Sequence, residues 1–242
     1  LEFRRVLFRS NWMPKWGGER IEAMIRERSD WCISRQRKWG VPIPIFFCKK
    51  CGEPFADYNT IIDVSKIFAE YGSGVWYEKD AEFFLKNNQT CKFCSFKEFI
   101  KEKDIMDVWF DSGSSYHAVI PESDFPADLY LEGADQYRGW FQSSLLTAVG
   151  IGKSAPYKSV LTHGWVVDEE SRKQSKSLGN VIEPASIIQK YGADVLRLWV
   201  SSVDYTDNVK ISNEILAQIA AFFRLKPEFQ FVITFAIFPI FK

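Results

Sequence analysis

Two lysines three residues apart sit in Lys173-Gln174-Ser175-Lys176-Ser177, and Gly179-Asn180 follows. Each lysine is a compact, strongly hydrated positive charge on a flexible stem. The serines add small donors, and Gly-Asn lets the backbone take positive φ without strain. Such a loop suits an anion whose charge grows during reaction, such as a leaving pyrophosphate. An aimed donor there contributes about 3 kcal/mol to the transition state. The same residues also suit a solvated basic surface loop, so the surroundings decide.

Three other groups of residues could do chemistry. Glu132, Gly133, Asp135 and Gln136 follow an apolar run and precede a helical pattern. Carboxylates and an amide at a strand-to-helix junction can hold ribose hydroxyls and an ammonium group. A capped helix with Asp135 as its N-cap is the plainer account, and the two are compatible. Cys48-Lys49-Lys50-Cys51 and Cys91-Lys92-Phe93-Cys94 supply four thiols in two knuckles, which suits tetrahedral, structural zinc. A redox pair or unrelated buried thiols are the alternatives. Cys32 is left over and is expected as a small buried hydrophobe. Arg35, Arg37 and Lys38 lie between Trp31 and Trp39, an interleaving that suits phosphate contact and base stacking. A cationic helix end with two core indoles reads equally from the same residues.

The elements that must position these groups are legible in outline. Ser159 to Thr162 is an apolar run that reads as a buried strand, ending in His163-Gly164 at its carboxyl end, where open α/β sheets bind ligands. Leu129 to Leu131 reads as another strand, running into a helix through Leu146. Asp104 to Ser115 reads as an ordinary strand and turn around Trp109, and Asn11 to Gly18 as a loop. Helices are expected over residues 19–28, 62–71, 78–86, 184–191, 193–201 and 213–223. The fifth of these is apolar nearly all round and is expected to be well buried. Strands alternating with helices make this an α/β chain.

At 242 residues there is enough chain for one large or two modest domains. Lys plus Arg and Asp plus Glu number 31 each, so there is no net field and any nucleic-acid site must be a local patch. No signal peptide is evident, and no apolar run reaches the ~20 residues of a membrane helix. Free thiols in a reducing cytoplasm are therefore the default expectation. Residues 1–10 show no cap, turn or period and are expected to be a non-native leader. Residues 225–242 lose all helical period after Arg224, as a reading-frame slip would produce.

The stretch HGWVVDEESRKQSKSLGN resembles the second signature of class I aminoacyl-tRNA synthetases, Lys-Met-Ser-Lys-Ser. Gln174 stands where that family usually has Met, and Ser171 where it often has Gly. DVWFDSG and YLEGxDQxRGWFQSS are similar to the isoleucyl branch, and differ from the valyl and leucyl branches. DWCISRQRxWG is similar to the segment where the isoleucyl branch returns from its editing insertion, and DVLRLWVSSVDY to the segment after the signature loop. The resemblance implies the second half of a Rossmann-like nucleotide-binding core, with an inserted zinc-binding subdomain and the start of an α-helical domain. On that reading residues 11–45 return from the editing insertion and 46–103 are the zinc insertion. Residues 104–208 are the core, and 209–224 open the anticodon-binding domain.

The resemblance also implies roles. Trp109 and Trp140 would flank the amino-acid side chain, where an apolar slot separates Ile from Val by only ~1–3 kcal/mol. Glu132, Gly133, Asp135 and Gln136 would hold the adenylate, and His163 and Gly164 would border the adenine. Lys173 and Lys176 would stabilise the pyrophosphate, with Lys176 also touching ATP. Arg35, Arg37 and Lys38 would lie near the tRNA acceptor end. Implied substrates are ATP with Mg2+, L-isoleucine and tRNA(Ile), in a cytoplasmic, monomeric enzyme with structural Zn2+ on Cys48, Cys51, Cys91 and Cys94. The family's His-Ile-Gly-His signature is not among these residues: the two histidines are His117 and His163. The chain is therefore expected to be a fragment that does not aminoacylate alone. A valyl or leucyl synthetase, a zinc-bearing RNA-binding remnant and a functionless fragment stay open as alternatives.

Overall fold

The run Tyr157–His163 buries Tyr157, Val160 and Thr162, which makes it the middle strand of a sheet. The computed structural model describes residues 9–28, 30–85 and 89–225. In chain order, β1 (Asn11–Met13) leads into α1 (Trp16–Arg26), followed by β2 (Ser34–Arg35), β3 (Phe46–Cys48) and β4 (Pro54–Phe55). Helices α2 (Tyr58–Tyr71), α3 (Val75–Glu78) and α4 (Ala81–Phe84) come next, then β5 (Phe99–Lys101) and β6 (Ile105–Met106). Two short helices, α5 (Val108–Gly113) and α6 (Ser115–Val119), precede β7 (Ala127–Gly133). A 3-10 turn at Ala134–Arg138 joins β7 to α7 (Trp140–Gly150). β8 (Tyr157–His163) and β9 (Val166–Val167) follow, and a 3-10 turn at Lys176–Leu178 carries the second lysine. Then come α8 (Pro184–Tyr191), α9 (Ala193–Ser202), β10 (Val209–Lys210) and α10 (Asn213–Leu225). No helix of the described residues is long and apolar enough to cross a membrane.

The chain forms two compact units. The first is built from Ile21–Ala127 and Tyr137–Pro156, the second from residues 9–20, Asp128–Gln136 and residues 157–225. In the first, β4, β3 and β5 make an antiparallel sheet with Phe46 opposite Phe55 and Lys101. Phe46, Val64, Trp76, Phe84 and Phe99 form its core together with Cys48 and Cys91. Trp76 is buried without penalty because its indole N–H donates to the Glu102 carbonyl at 2.9 Å. Asp57 caps α2 by accepting the Thr60 N–H at 3.0 Å.

Three expectations change in this unit. The single helix expected over 78–86 is instead α3 and α4, parted by extended backbone at Lys79 and Asp80; residue 86 lies outside the described residues. The break lets Trp76 and Phe84 meet in one core with ring centroids 4.9 Å apart. The DVWFDSG segment is a helix rather than a strand and turn. Asp107 caps it by accepting the Trp109 N–H at 3.0 Å, and Gly113 permits close packing against α7. A Cβ at Gly113 would lie 2.8 Å from the Ser143 carbonyl carbon. Cys32 is exposed, not buried: its Sγ lies 3.7 Å from Ser34 Oγ.

In the second unit the sheet order is β1-β8-β7. Residues 11–13, read above as loop, pair in parallel with β8 because Trp12 buries edge-on to Tyr157, with centroids 5.8 Å apart. β7 and β8 run in one direction: Lys158 meets Asp128 at 2.6 Å at their starts, and His163 meets Glu132 at 3.5 Å at their ends. Asp135 falls inside the 3-10 turn after β7, and α7 begins only after Gly139, so Asp135 is not its N-cap. Helices α8, α9 and α10 pack around Ile187, Val195, Trp199 and Leu216. α9 is two-faced rather than buried all round, with Val200 in solvent opposite the Val195–Trp199 stripe.

Candidate active site and metal centre

The lysine loop begins as a hairpin. β9 is flanked on one side by β10, in parallel register, and on the other by Lys173, which bridges Val167 in antiparallel sense. The turn between the arms places the Ser171 N–H on the Asp168 carbonyl at 3.0 Å, and Ser171 then takes φ +63°. That is a two-residue turn followed by a left-handed position, where Gly is the least strained residue.

Asp168 holds the loop together. Its carboxylate accepts the Arg172 N–H at 2.8 Å, Arg172 Nε at 2.8 Å and Asn180 Nδ2 at 2.9 Å. Asn180 Oδ1 in turn accepts the Ser175 N–H at 2.9 Å. The Asn180 amide and the Arg172 guanidinium hold the Asp168 carboxyl at about 2, against the pull of its own burial. Between these anchors Ser175 Oγ accepts the Leu178 N–H, and Gly179 turns the chain at φ +67° as the Gly-Asn pair suggested. Lys176 is thereby exposed on a short turn, while Lys173 lies over the Trp165 ring with Nζ 3.2 Å from the centroid. Among the described residues, Gln174 Nε2 is buried without a hydrogen-bond partner.

The carboxyl ends of β7 and β8 sit in the same unit as this loop. Glu132 Oε1 accepts the Gly133 N–H at 2.8 Å and lies 3.5 Å from His163 Nε2. His163 Nδ1 is 2.8 Å from the Gly164 carbonyl, which only accepts, so that nitrogen carries the proton. Asp135 and Gln136 contact each other at 3.3 Å, and a Cβ on Gly133 would press on Asp135 Oδ1 at 2.9 Å. Gly164 is tighter still: a Cβ would fall 2.0 Å from the Asp207 carbonyl oxygen. Glu132, Gly133, Asp135, Gln136, His163 and Gly164 thus form one polar rim around closely packed backbone.

The two tryptophans expected to flank an aliphatic side chain belong to the other unit. Trp109 rides on α5 and is 40% exposed, while Trp140 opens α7 and donates its indole N–H to Ser115 Oγ at 3.1 Å. Thr147 Oγ1 donates to the Gly113 carbonyl at 2.8 Å and ties the two helices together.

In the same unit the basic segment divides. Arg35 is committed internally: its guanidinium reaches Asp107 at 2.5 Å and the Cys32 and Ser34 carbonyls at 2.6 and 2.7 Å. Trp31 donates to Asp107 at 2.9 Å and lies under Arg28. Burial raises the Asp107 carboxyl, but the Trp31 indole, the Trp109 amide and the two arginines outweigh it and the net shift is downward. Arg37 and Lys38 are exposed, and Trp39 is 92% exposed, so it is no core indole and no helix ends here.

The four knuckle sulfurs lie within 4.8 Å of one another, with Cys48–Cys94 and Cys51–Cys91 each at 3.5 Å. Four thiolates at ~2.3 Å from one tetrahedral zinc stand about 3.8 Å apart, so the set fits such an ion. The knuckles repeat one device: Gly52 N–H donates to the Cys48 carbonyl and Ser95 N–H to the Cys91 carbonyl, each residue at positive φ. Burial raises the Cys48 thiol, but the Cys51 and Lys50 amides and neighbouring thiols bring it down to about 6. For Cys51 the Glu53 amide pulls down, yet burial and the other thiols push it up to about 12. Four thiols this close cannot all ionise without a cation among them.

The sequence reading missed Asp168 and Trp165. Asp four residues before Arg, across a turn, was the available sign of the first.

Residues 3–212 match the family model for class I tRNA synthetases (I, L, M and V). Among curated relatives, an isoleucine–tRNA ligase of Caldanaerobacter subterraneus is 60% identical over 217 residues, covering 88% of this chain and 23% of the relative. Another, of Brevibacillus brevis, is 55% identical over 225 residues, covering 92% and 24%. The chain therefore spans about a quarter of the length of these relatives. Among solved structures, the Agrobacterium radiobacter LeuRS–tRNA–LeuAMS ternary complex aligns with TM-score 0.57 at 23% identity, covering 81% of this chain and 27% of that one. A Mycobacterium tuberculosis methionyl-tRNA synthetase with methionyl-adenylate aligns with TM-score 0.51 at 18% identity, covering 86% and 32%. At these identities the two structures speak to the fold alone.

Proposed function

This chain belongs to the class I tRNA synthetases of the I, L, M and V group and has their catalytic-core α/β fold, and from that premise we propose that it serves ATP-dependent activation of L-isoleucine and transfer to tRNA(Ile). The isoleucine carboxylate attacks the α-phosphorus of ATP, forming isoleucyl-adenylate as pyrophosphate leaves. A terminal ribose hydroxyl of the tRNA then attacks the acyl carbon, and AMP departs. The choice of isoleucine rests on the names and identities of the relatives, and on the DVWFDSG and YLEGxDQxRGWFQSS segments.

One observation carries the reading: a single unit holds both the polar rim at the ends of β7 and β8 and the lysine loop clamped by Asp168. In this assignment Glu132, Gly133, Asp135 and Gln136 hold the adenylate's ribose and ammonium group. His163 and Gly164 border the adenine. Lys173 and Lys176 meet the pyrophosphate as its charge grows. Trp109 and Trp140 line the aliphatic slot. Arg37 and Lys38 face the tRNA acceptor end, whereas Arg35 shapes that segment through Asp107.

Cys48, Cys51, Cys91 and Cys94 would hold Zn2+, which supplies cross-linking of the two knuckles and no reactive position. Mg2+ would accompany ATP. The test is isoleucine-dependent ATP–pyrophosphate exchange by the full-length gene product. Lys176→Ala should lower kcat about 10²- to 10³-fold. Exchange driven by valine or leucine in preference to isoleucine, or left intact by Lys176→Ala, would reject the proposal.

A further inference from the structure

We propose that Trp165 is a positioning residue for Lys173, holding its ammonium beside the rim at Gly133 and His163 until an anionic phosphate takes it. The inference rests on the reading of the lysine loop given above.

The register explains the contact. Lys173 bridges Val167, and Trp165 lies two residues before Val167, on the same face of that strand. Diagonal neighbours of this kind are within reach of long and aromatic side chains. Lys173 Nζ accordingly lies 3.2 Å from the Trp165 ring centroid. The far edge of the same indole points to the rim: a Cβ on Gly133 would be 3.9 Å from Trp165 Cη2 and 3.5 Å from His163 Cε1. The backbone of Trp165 is fixed on both sides, its N–H on Asn208 Oδ1 at 2.9 Å and its carbonyl accepting the Val209 N–H at 2.8 Å. The backbone that carries the indole is therefore anchored, while Lys173 reaches it on a flexible stem.

The choice of an aromatic partner has a chemical consequence. The nearby carboxylates are engaged elsewhere, Glu132 with the Gly133 N–H and Asp168 with Arg172 and Asn180. Among the described residues Lys173 has no ion pair. A carboxylate partner would neutralise the lysine and compete with phosphate. An aromatic face attracts the cation through its quadrupole and leaves the ammonium donors free for phosphate oxygens. Among the described residues Lys176 has no such plate, so the two signature lysines differ in how they are presented.

The test uses the chain itself, with Lys173 εCH2 resonances read by carbon–proton NMR and inorganic pyrophosphate as the probe. In the wild type these methylene protons should be shifted upfield by the indole ring current. W165A should return them to the free-lysine position, W165F should keep part of the shift, and K176A should leave it unchanged. Pyrophosphate should move the wild-type signals, and its Kd should rise about tenfold in W165A but far less in W165F. Unshifted methylene signals in the wild type would overturn the inference. So would equal pyrophosphate affinity in the wild type and both Trp165 variants. A persistent ring-current shift with no pyrophosphate binding at all would instead remove the functional reading of the loop, and the positioning role with it. W165F keeps an aromatic ring in place, so misfolding of W165A alone does not decide the matter.

Discussion

Gly164→Ala is the most discriminating single change. The added Cβ would sit 2.0 Å from the Asp207 carbonyl oxygen and 2.3 Å from its carbon, against an ordinary carbon contact of roughly 3.5 Å. Backbone faces backbone there, so no rotamer relieves the clash and the strands must part by more than 1 Å. Three hydrogen bonds cross that seam: Gly164 N–H to the Tyr205 carbonyl at 2.8 Å, Trp165 N–H to Asn208 Oδ1 at 2.9 Å, and Val209 N–H to the Trp165 carbonyl at 2.8 Å. At about 1 kcal/mol each their loss costs about 3 kcal/mol, a large part of a typical domain's 5–15 kcal/mol. Hydrogen exchange at the Val209 and Ile211 amides should accelerate about 100-fold. Gly133→Ala meets only the Asp135 side chain at 2.9 Å, which can turn away, so its stability cost should stay below about 1 kcal/mol. Gly150→Ala, with nothing within 4 Å at the end of α7, should be neutral or stabilising by up to about 1 kcal/mol. Wild-type exchange rates in Gly164→Ala would refute the close-approach argument.

Other perturbations probe the remaining parts. Zinc-loaded protein should contain one zinc per chain, and Cys51→Ser or a chelator should release it and red-shift the emission of buried Trp76; equal stability with and without zinc would count against the site. Because the folded Asp168 carboxyl is depressed to about 2, its contribution is present above the usual carboxylate pKa near ~4 and is lost as pH falls through about 2. Loop amide exchange should therefore rise on acidification from pH ~4 to ~2 in the wild type, whereas Asp168→Asn should lack that step; identical acid profiles would exclude the clamp. Gln174→Met removes a buried unpartnered amide and Ser171→Gly removes left-handed strain, and each should stabilise by about 1 kcal/mol, or ~2–4 °C in Tm. A fall in Tm for both would mean that the loop is packed differently.

Much of the second unit was legible because its signals are local. Pro184 to Tyr191 carries a helical period from a Pro at the first turn to a Gly just past the end, and it forms the expected helix residue for residue. Ser159 to Thr162 announced a strand by its apolar run. The sequence failed where long-range partners decide. DVWFDSG contains a fair β pattern, yet Asp107 caps it and α7, some 30 residues on, receives Gly113, so it is helical. Cys32 has the composition of a core residue but lies in an extended segment whose inward face is taken by Trp31. Arg35 and Arg37 are alike in sequence, and only the position of Asp107 separates the half-buried ion pair of the first from the exposed guanidinium of the second. Trp165 went unremarked because the cross-strand register that brings Lys173 over it is not visible in the order of residues.

The parallel pairing of β1 with β8 has a consequence for how the chain emerges from the ribosome. Asn11 pairs with Ser159, 148 positions later. At about 5–20 residues per second of synthesis, the first strand stays single for roughly 7–30 s. Throughout that interval Trp12 lacks the Tyr157 ring that covers it, and the amides of residues 11–13 lack their ladder. The cysteine quartet is different, since its last member is Cys94 and the sheet around it ends at Lys101. The two knuckles are thus free to close while the β1-β8-β7 sheet is still waiting for its middle strand.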